Sequence, residues 1–343
     1  VLSDYSPRSE LIVEEHPVFR PRYPVVDVHT HFDLAARENR RDKEDETDGI
    51  VNRLKEYGVR QAVNLVGSHE ANMDDILDMA RRYEDFFITF GTVDVTRLDE
   101  PDFAAYVRHT LKDFRRKGVS GIKFFKDVSL KWKDPQGNYI AIDDERLEAI
   151  WDAAAEWDLP VLAHIADPVA FFRPVDRYNE RYEELTEYPD WSFCRPEFYT
   201  FSQLLDMQEN LLDRHPDTTF IIPHGGSYTE NLGYVSKCLD RYPNMYIDTA
   251  ARLAEFGRQP YTSGKFFRKY QDRILFGTDG RPVSAEYPNY YRFFETLDEC
   301  FDYYPSEIPR QGRWKIYGIG LEDDVLRKIY YGNAEKVLKR HHE

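Results

Sequence analysis

The stretch Val25-Val26-Asp27-Val28-His29-Thr30-His31-Phe32 reads as a short, mostly apolar strand that ends in two histidines at alternate positions. Residues i and i+2 of a strand share a face, so His29 and His31 are expected to project together from its carboxyl end. Two imidazoles on a rigid strand make half of a metal site, and imidazole suits zinc, iron, manganese and related ions. The alternative is a pair of histidines satisfied by water or backbone.

Working outward, apolar runs bounded by glycine or charge recur along the chain. They predict further strands over 58–67, 86–94, 119–126, 159–167, 219–226, 245–252 and 273–280. Helical spacing separates them: a helix through Leu54, then 70–83, 103–116, 144–157, 200–214, 230–242 and 264–270, with closing helices at 290–303 and 322–339. Strands alternating with helices imply βαβ units and a parallel sheet, and eight such units close into a (β/α)8 TIM barrel. An open doubly wound sheet is the competing architecture, but no strand is followed by a Gly-rich phosphate fingerprint. Residues 1–24 are polar and carry prolines at 7, 17, 21 and 24, so they read as an extended arm. Residues 25–343 are expected to form a single barrel domain. The connections 168–199 after strand five and 281–321 after strand eight are too long for turns. Both are expected to cover the carboxyl-terminal face, to form a subunit contact, or both.

Composition narrows the functional classes. A hydrophobic share of 41% supports a core for 343 residues, and the 24 Tyr and 22 Phe suit packing and a deep pocket. The net charge of −16 argues against nucleic acid or an anionic membrane as partner. A small-molecule substrate is expected, and the Tyr-rich loops suit a homodimer. The three cysteines, Cys194, Cys238 and Cys300, form no C-x-x-C, so neither a disulfide framework nor a thiolate zinc site is indicated. No apolar run reaches membrane-spanning length. The chain begins at Val1 rather than Met, which leaves the compartment open: cytoplasm is the expectation, with periplasm or secretion the alternative if a signal peptide has been removed.

Catalytic groups of a barrel sit at the carboxyl ends of different strands. His29, His31, His164, His224, Lys123 and Asp279 all fall at such ends. His164 lies in an apolar run, where an imidazole without a partner is costly, so it reads as a metal ligand in preference to a core histidine. His224 is either a further ligand or a free imidazole that polarises substrate or water. Asp279, set among small residues, can approach an ion or act as general base; a helix N-cap is the bland alternative. Lys123 would bind a substrate carboxylate or, if carbamylated, bridge a second metal. Lys126 is expected to snorkel to solvent. Arg252, at the end of strand seven, would point a fixed cation at an anionic substrate, or else pair with a loop acid. The remaining histidines (His16, His69, His109, His215, His341 and His342) read as solvated.

With these positions in place, the chain resembles the amidohydrolase superfamily, in particular the amidohydrolase-related branch that holds the aminocarboxymuconate-semialdehyde decarboxylase-like enzymes. The resemblance runs from about Val25 to Leu338. It is carried by Val26-Asp27-Val28-His29-Thr30-His31, Gly121-Ile122-Lys123, Leu162-Ala163-His164, Pro223-His224-Gly225-Gly226, Phe276-Gly277-Thr278-Asp279 and Ile329-Tyr330-Tyr331-Gly332-Asn333-Ala334. It implies a (β/α)8 barrel with one divalent metal, most often zinc, with manganese or iron as alternatives. His29, His31, His164 and Asp279 match the metal positions, and His224 matches the catalytic histidine. Two-metal members carry a carbamylated lysine after strand four, near Lys123. The expected activity is hydrolysis, with a metal-activated water attacking an ester, lactone or amide carbonyl of a small anionic substrate. The alternative is non-oxidative decarboxylation of an aromatic or unsaturated acid. A catalytically silent barrel used for binding is the reading from another class.

Overall fold

Alternation of apolar residues on short β-branched runs builds the barrel wall. In the computed structural model, which describes residues 9–32, 34, 40–67, 69, 72–83, 85–280, 286–306, 308–309 and 311–338, eight strands form one sheet. They are β1 (Val25–Thr30), β2 (Val59–Leu65), β3 (Phe87–Gly91), β4 (Gly121–Phe124), β5 (Val161–Ala163), β6 (Phe220–Ile222), β7 (Met245–Asp248) and β8 (Ile274–Leu275). Neighbours in sequence are neighbours in space, and all pair in parallel. A parallel bridge between Thr30 and Gly280, and a Val28 N–H bond to the Phe276 carbonyl at 2.9 Å, join β8 back to β1. This is the expected (β/α)8 barrel.

Two apolar layers hold it. Val26, Val28, Val63, Leu65, Ile88, Phe90, Leu162, Ile221 and Leu275 meet inside the barrel, and a larger cluster packs between strands and helices. Gly121 is what admits the Phe90 ring, since a Cβ there would lie 2.3 Å from it. The inner layer is a plug, as expected for this barrel type. Ala334 and Leu338 complete it at the amino end, where the Asn333 amide donates to the carbonyls of Gln271 and Ile274, each at 2.7 Å.

The first strand is not regular. Asp27 pairs with Ala62 and Thr30 with Asn64, so two residues of β1, Val28 and His29, stand opposite the single residue Val63. A β-bulge of this kind changes the parity of a strand. Val28 joins the inner plug, and His29, which strict alternation would turn toward the helices, faces inward as well.

Several helix limits differ from expectation. The span 290–303 is a helix only over Tyr287–Glu295, because Thr296 turns extended and the following segment pairs with 316–320 instead: Gly318 and Gly320 donate to the carbonyls of Asp298 and Thr296, each at 2.8 Å. The single helix expected near 264–270 is two, Leu253–Arg258 and Pro260–Lys269, with Pro260 opening the second. The closing helix is interrupted by a π turn over Lys328–Gly332. Residues 9–24 carry no helix or strand; His16 binds Asp298 and Arg22 binds Asp323, each at 2.6 Å. The two long connections meet where Arg313 reaches Glu183 at 2.6 Å. Among the described residues, no helix is long and apolar enough to cross a membrane.

Candidate metal centre

Above the apolar plug the inward-facing positions turn polar. His29 comes from the bulge of β1, Lys123 from β4, His164 from the residue after β5 and His224 from just beyond β6; Asp248 ends β7, and Asp279 follows β8. His224 and Asp279 have φ of 58° and 56°, a left-handed conformation that non-glycine residues rarely adopt. Each is held there by a hydrogen bond. The His224 N–H donates to Asp248 Oδ1 at 2.8 Å, and the Asp279 N–H donates to the His29 carbonyl at 2.9 Å. Gly277 leaves the room between them, since a Cβ there would stand 3.1 Å from His29 Cβ and 3.4 Å from Asp248 Cβ.

Asp248 organises the imidazoles. Its Oδ2 lies 2.8 Å from His29 Nδ1, and its Oδ1 accepts the N–H groups of His224 and Ala250. The proton of a neutral His29 therefore sits on Nδ1, and the lone pair of Nε2 is presented to the mouth. Nε2 of His29 is 3.4 Å from Asp279 Oδ1, and Nε2 of His31 is 3.3 Å from the same oxygen. Burial lowers the His29 pKa despite the neighbouring carboxylates. Burial would raise the Asp279 carboxyl, but His29, His31 and Lys123 outweigh it and hold it far below the usual carboxylate range. An imidazole lone pair and an ionised carboxylate thus face each other with no proton between them, which a cation would resolve. His29, His31 and Asp279 each offer an atom, all within 4.8 Å of one another. This donor set fits a divalent metal. His29, His224 and Asp248 lie equally close together, but both oxygens of Asp248 are already committed to hydrogen bonds.

The other expected residues reach the same rim in different company. His164 stands beside His224, with His164 Nδ1 3.3 Å from His224 Nε2, and burial pulls its pKa to about 4. His164 Nε2 lies 3.3 Å from Asp167 Oδ1 without making a hydrogen bond, so it too has an unused lone pair or proton. The ring of His224 is 5.0 Å from that of His29 and 4.3 Å from that of His164, which links the two groups; its Nδ1 bonds the Ala250 carbonyl at 2.9 Å. Burial and then the neighbouring His164 lower its pKa well below the ordinary histidine value.

Lys123 is 1% exposed, and its Nζ has no hydrogen-bond partner among the described residues. Burial pushes it down to about 8, against the pull of Asp279 and Asp248. Lys126 does not snorkel: it pairs with Asp167 at 2.5 Å. The Arg252 guanidinium is buried and donates to the Ala251 carbonyl at 2.8 Å; its charge, after burial and His164, helps lower the His224 pKa, and no carboxylate lies within ion-pair distance of it among the described residues. His215, expected in solvent, is buried; His341 and His342 lie outside the described residues.

Sequence reasoning passed over Asp248, which lay inside the strand expected over 245–252, and Asp27. The latter faces outward from β1 and accepts from Thr278 Oγ1 and the Tyr287 hydroxyl, each at 2.7 Å. An acid within an apolar strand was the signal available for both, because such a carboxylate must find donors.

A TIM barrel with imidazoles and carboxylates gathered at its carboxyl rim is an enzyme architecture. The chain belongs to the amidohydrolase family, whose model matches residues 26–340. This bears out the resemblance carried by the motifs. No curated protein matches the chain. Among solved structures it is similar to a 2,6-dihydroxybenzoate decarboxylase from Rhizobium (15% identity, TM-score 0.55, covering 92% of this chain and 99% of that one). A manganese-bound 5-carboxyvanillate decarboxylase from Novosphingobium aromaticivorans is also similar (13% identity, TM-score 0.56, covering 95% and 100%). So is a 4-oxalomesaconate hydratase from Rhodopseudomonas palustris (14% identity, TM-score 0.54, covering 92% and 95%). At these identities the likeness speaks for the fold.

Proposed function

We propose that this amidohydrolase-family enzyme is a metal-dependent carboxy-lyase that removes carbon dioxide from an aromatic or unsaturated acid without oxidation. One observation carries the reading: the buried, unpartnered Lys123 ammonium beside the His29–His31–Asp279 group. The Phe125 ring lies 5.2 Å from its Nζ, but a buried cation without a hydrogen-bond acceptor remains costly, and a substrate carboxylate is the group that fits. The names of two structurally similar enzymes point the same way.

His29, His31 and Asp279 would hold one divalent ion, zinc or manganese, while His164 stands against His224 and Asp167. When bound, the ion supplies positive charge that steadies the developing charge of the substrate. Lys123 binds and orients the carboxylate. As the bond to the carboxyl carbon breaks, its electron pair remains on the substrate carbon, which takes a proton. Lys123 still carries one at neutral pH, whereas His29, His164 and His224 are held neutral, so Lys123 is placed as the source. Asp248 keeps His29 in the required tautomer.

Hydrolysis is the second reading, favoured by the ionised Asp279 carboxylate beside His29 and His31, where it can accept a hydrogen bond from an attacking water. Metal-loaded protein incubated with panels of phenolic acids and lactones separates the two. Carbon dioxide and the decarboxylated product are expected; lactone opening with no carbon dioxide release would sink the carboxy-lyase reading.

A further inference from the structure

Apart from the polar group just described, the carboxyl face carries a pocket of about 400 Å³. Val169, from the connection after β5, forms one wall. Glu230 follows β6, and Glu255, Arg258 and Gln259 follow β7. Three consecutive βα connections therefore enclose it on the face that bears the metal centre.

Most charge here is paired. Arg181 is 1% exposed and holds Glu184 at 2.7 Å and Glu255 at 2.5 Å. Arg258 holds Glu180 at 3.0 Å and stacks on the Trp314 ring at 3.9 Å. Among the described residues, two oxygens and two nitrogens of this network are left over, the nitrogens being Nε of Arg181 and Nε of Arg258. Oε2 of Glu255 and Oε2 of Glu230 are both buried and accept no hydrogen bond among the described residues. Glu255 is 2% exposed as a whole and lines the pocket. Glu230 uses its other oxygen on the Val169 N–H at 3.1 Å. A network built only for structure would give both oxygens donors, because a bare buried acceptor keeps its full desolvation penalty. Burial would raise Glu255, but Arg181, Arg252 and Arg258 outweigh it and keep it ionised; burial and then the Glu255 charge raise Glu230.

Arg173 and Arg258 also line the pocket, but the two free glutamate oxygens lack a compact positive group with several donors. We infer that it binds a primary ammonium group of the substrate through Oε2 of Glu230 and Oε2 of Glu255. An ammonium presents three donors on one atom. A divalent cation would ask for six or more oxygen ligands in the calcium case, or near-octahedral geometry in the magnesium case, and the pocket leaves two carboxylate oxygens uncommitted. That the ammonium belongs to the substrate rests on the carboxy-lyase reading, and makes the substrate an amino-bearing acid with its carboxylate at Lys123. The affinity of the pocket for an ammonium does not rest on it.

The test is calorimetric titration of the metal-loaded full chain with n-butylammonium chloride near neutral pH, with n-butanol as the uncharged control. Saturable binding of butylammonium is expected, with none of butanol, and about tenfold weaker binding in Glu230→Gln. A crystal structure of the same complex should place the nitrogen within hydrogen-bond distance of both glutamates. Absence of saturation, equal binding of butanol, or unchanged affinity in Glu230→Gln would overturn the inference. Should Glu230→Gln fail to fold, Glu230→Asp, which withdraws the oxygen and keeps the charge, carries the same expectation. Failure to release carbon dioxide from any acid would count against the carboxy-lyase reading and leave the binding result as it stands.

Discussion

Asp248 Oδ2 lies 2.8 Å from Nδ1 of His29, although the two residues are 219 positions apart in the chain. The other oxygen of Asp248 accepts the backbone N–H of His224. One carboxylate on β7 thereby sets the tautomer of an imidazole on β1 and the backbone angle of a residue after β6. Replacing Asp248 by Ala should free the His29 ring and weaken metal affinity by about 10–100-fold, the usual effect of losing a group that orients a ligand. Metal content after dialysis against graded chelator would show it; wild-type retention in Asp248→Ala would refute the role.

The His29–His31–Asp279 group should make activity depend on a metal. Exhaustive chelation is expected to abolish turnover, and one equivalent of zinc or manganese to restore it. His29→Ala should retain less than stoichiometric metal and recover no activity on metal addition, as elemental analysis beside a product assay would reveal. A chelated protein that remains fully active would remove the metal from the mechanism.

Lys123 carries a stability cost. Its folded pKa is lowered to about 8 from 10.5, so the charged form is disfavoured in the native state and the cost is greatest below that pH. It fades as pH climbs toward the unfolded value. Lys123→Met should therefore be the more stable protein near neutral pH, by on the order of 1–3 kcal/mol, with the gap closing in alkali. The same variant should lose substrate affinity and turnover. Urea unfolding and an activity assay on one preparation test both halves.

Asp27 predicts a pH dependence of opposite origin. Burial raises its carboxyl from 3.8 to about 6, against the hydrogen bonds from Thr278 and Tyr287. A raised folded pKa means that the stabilisation is complete below the unfolded value and is lost as pH rises through the folded one. The stability of wild type relative to Asp27→Asn should fall between pH 4 and 6, by up to about 3 kcal/mol. Urea unfolding across that window decides it; a flat difference would show that Asp27 is not so perturbed.

The buried Arg181 should be structurally indispensable. Removing it as Arg181→Met strands the carboxylates of Glu184 and Glu255, which is expected to cost about 3–5 kcal/mol in chemical denaturation. A variant of unchanged stability would mean that those acids find other partners.

Much of this molecule was legible in its sequence. Strands such as Val161–Ala163 and Phe220–Ile222 announce themselves as apolar runs, and His164 and His224 stand at their ends, where a barrel places its chemistry. The motifs also reached the family. What escaped was set by partners distant in the chain. An acid inside an apolar strand marks Asp248 as needing donors without saying which, and Arg181 meets Glu255 only through the fold. Lys126 looked free because Asp167, on the next strand's connection, was not yet beside it. The helix expected to reach 303 ends at Glu295 because pairing with 316–320 overrides local spacing.

The surplus residue in β1 has a practical corollary for anyone transplanting this active site. A straightened copy of the strand, one position shorter between Asp27 and Thr30, would keep the hydrophobic plug intact while aiming its first imidazole at the surrounding helices. Grafts and chimeras must carry the irregular pairing along with the histidines, or they will yield well-folded barrels whose first imidazole points away from the rim.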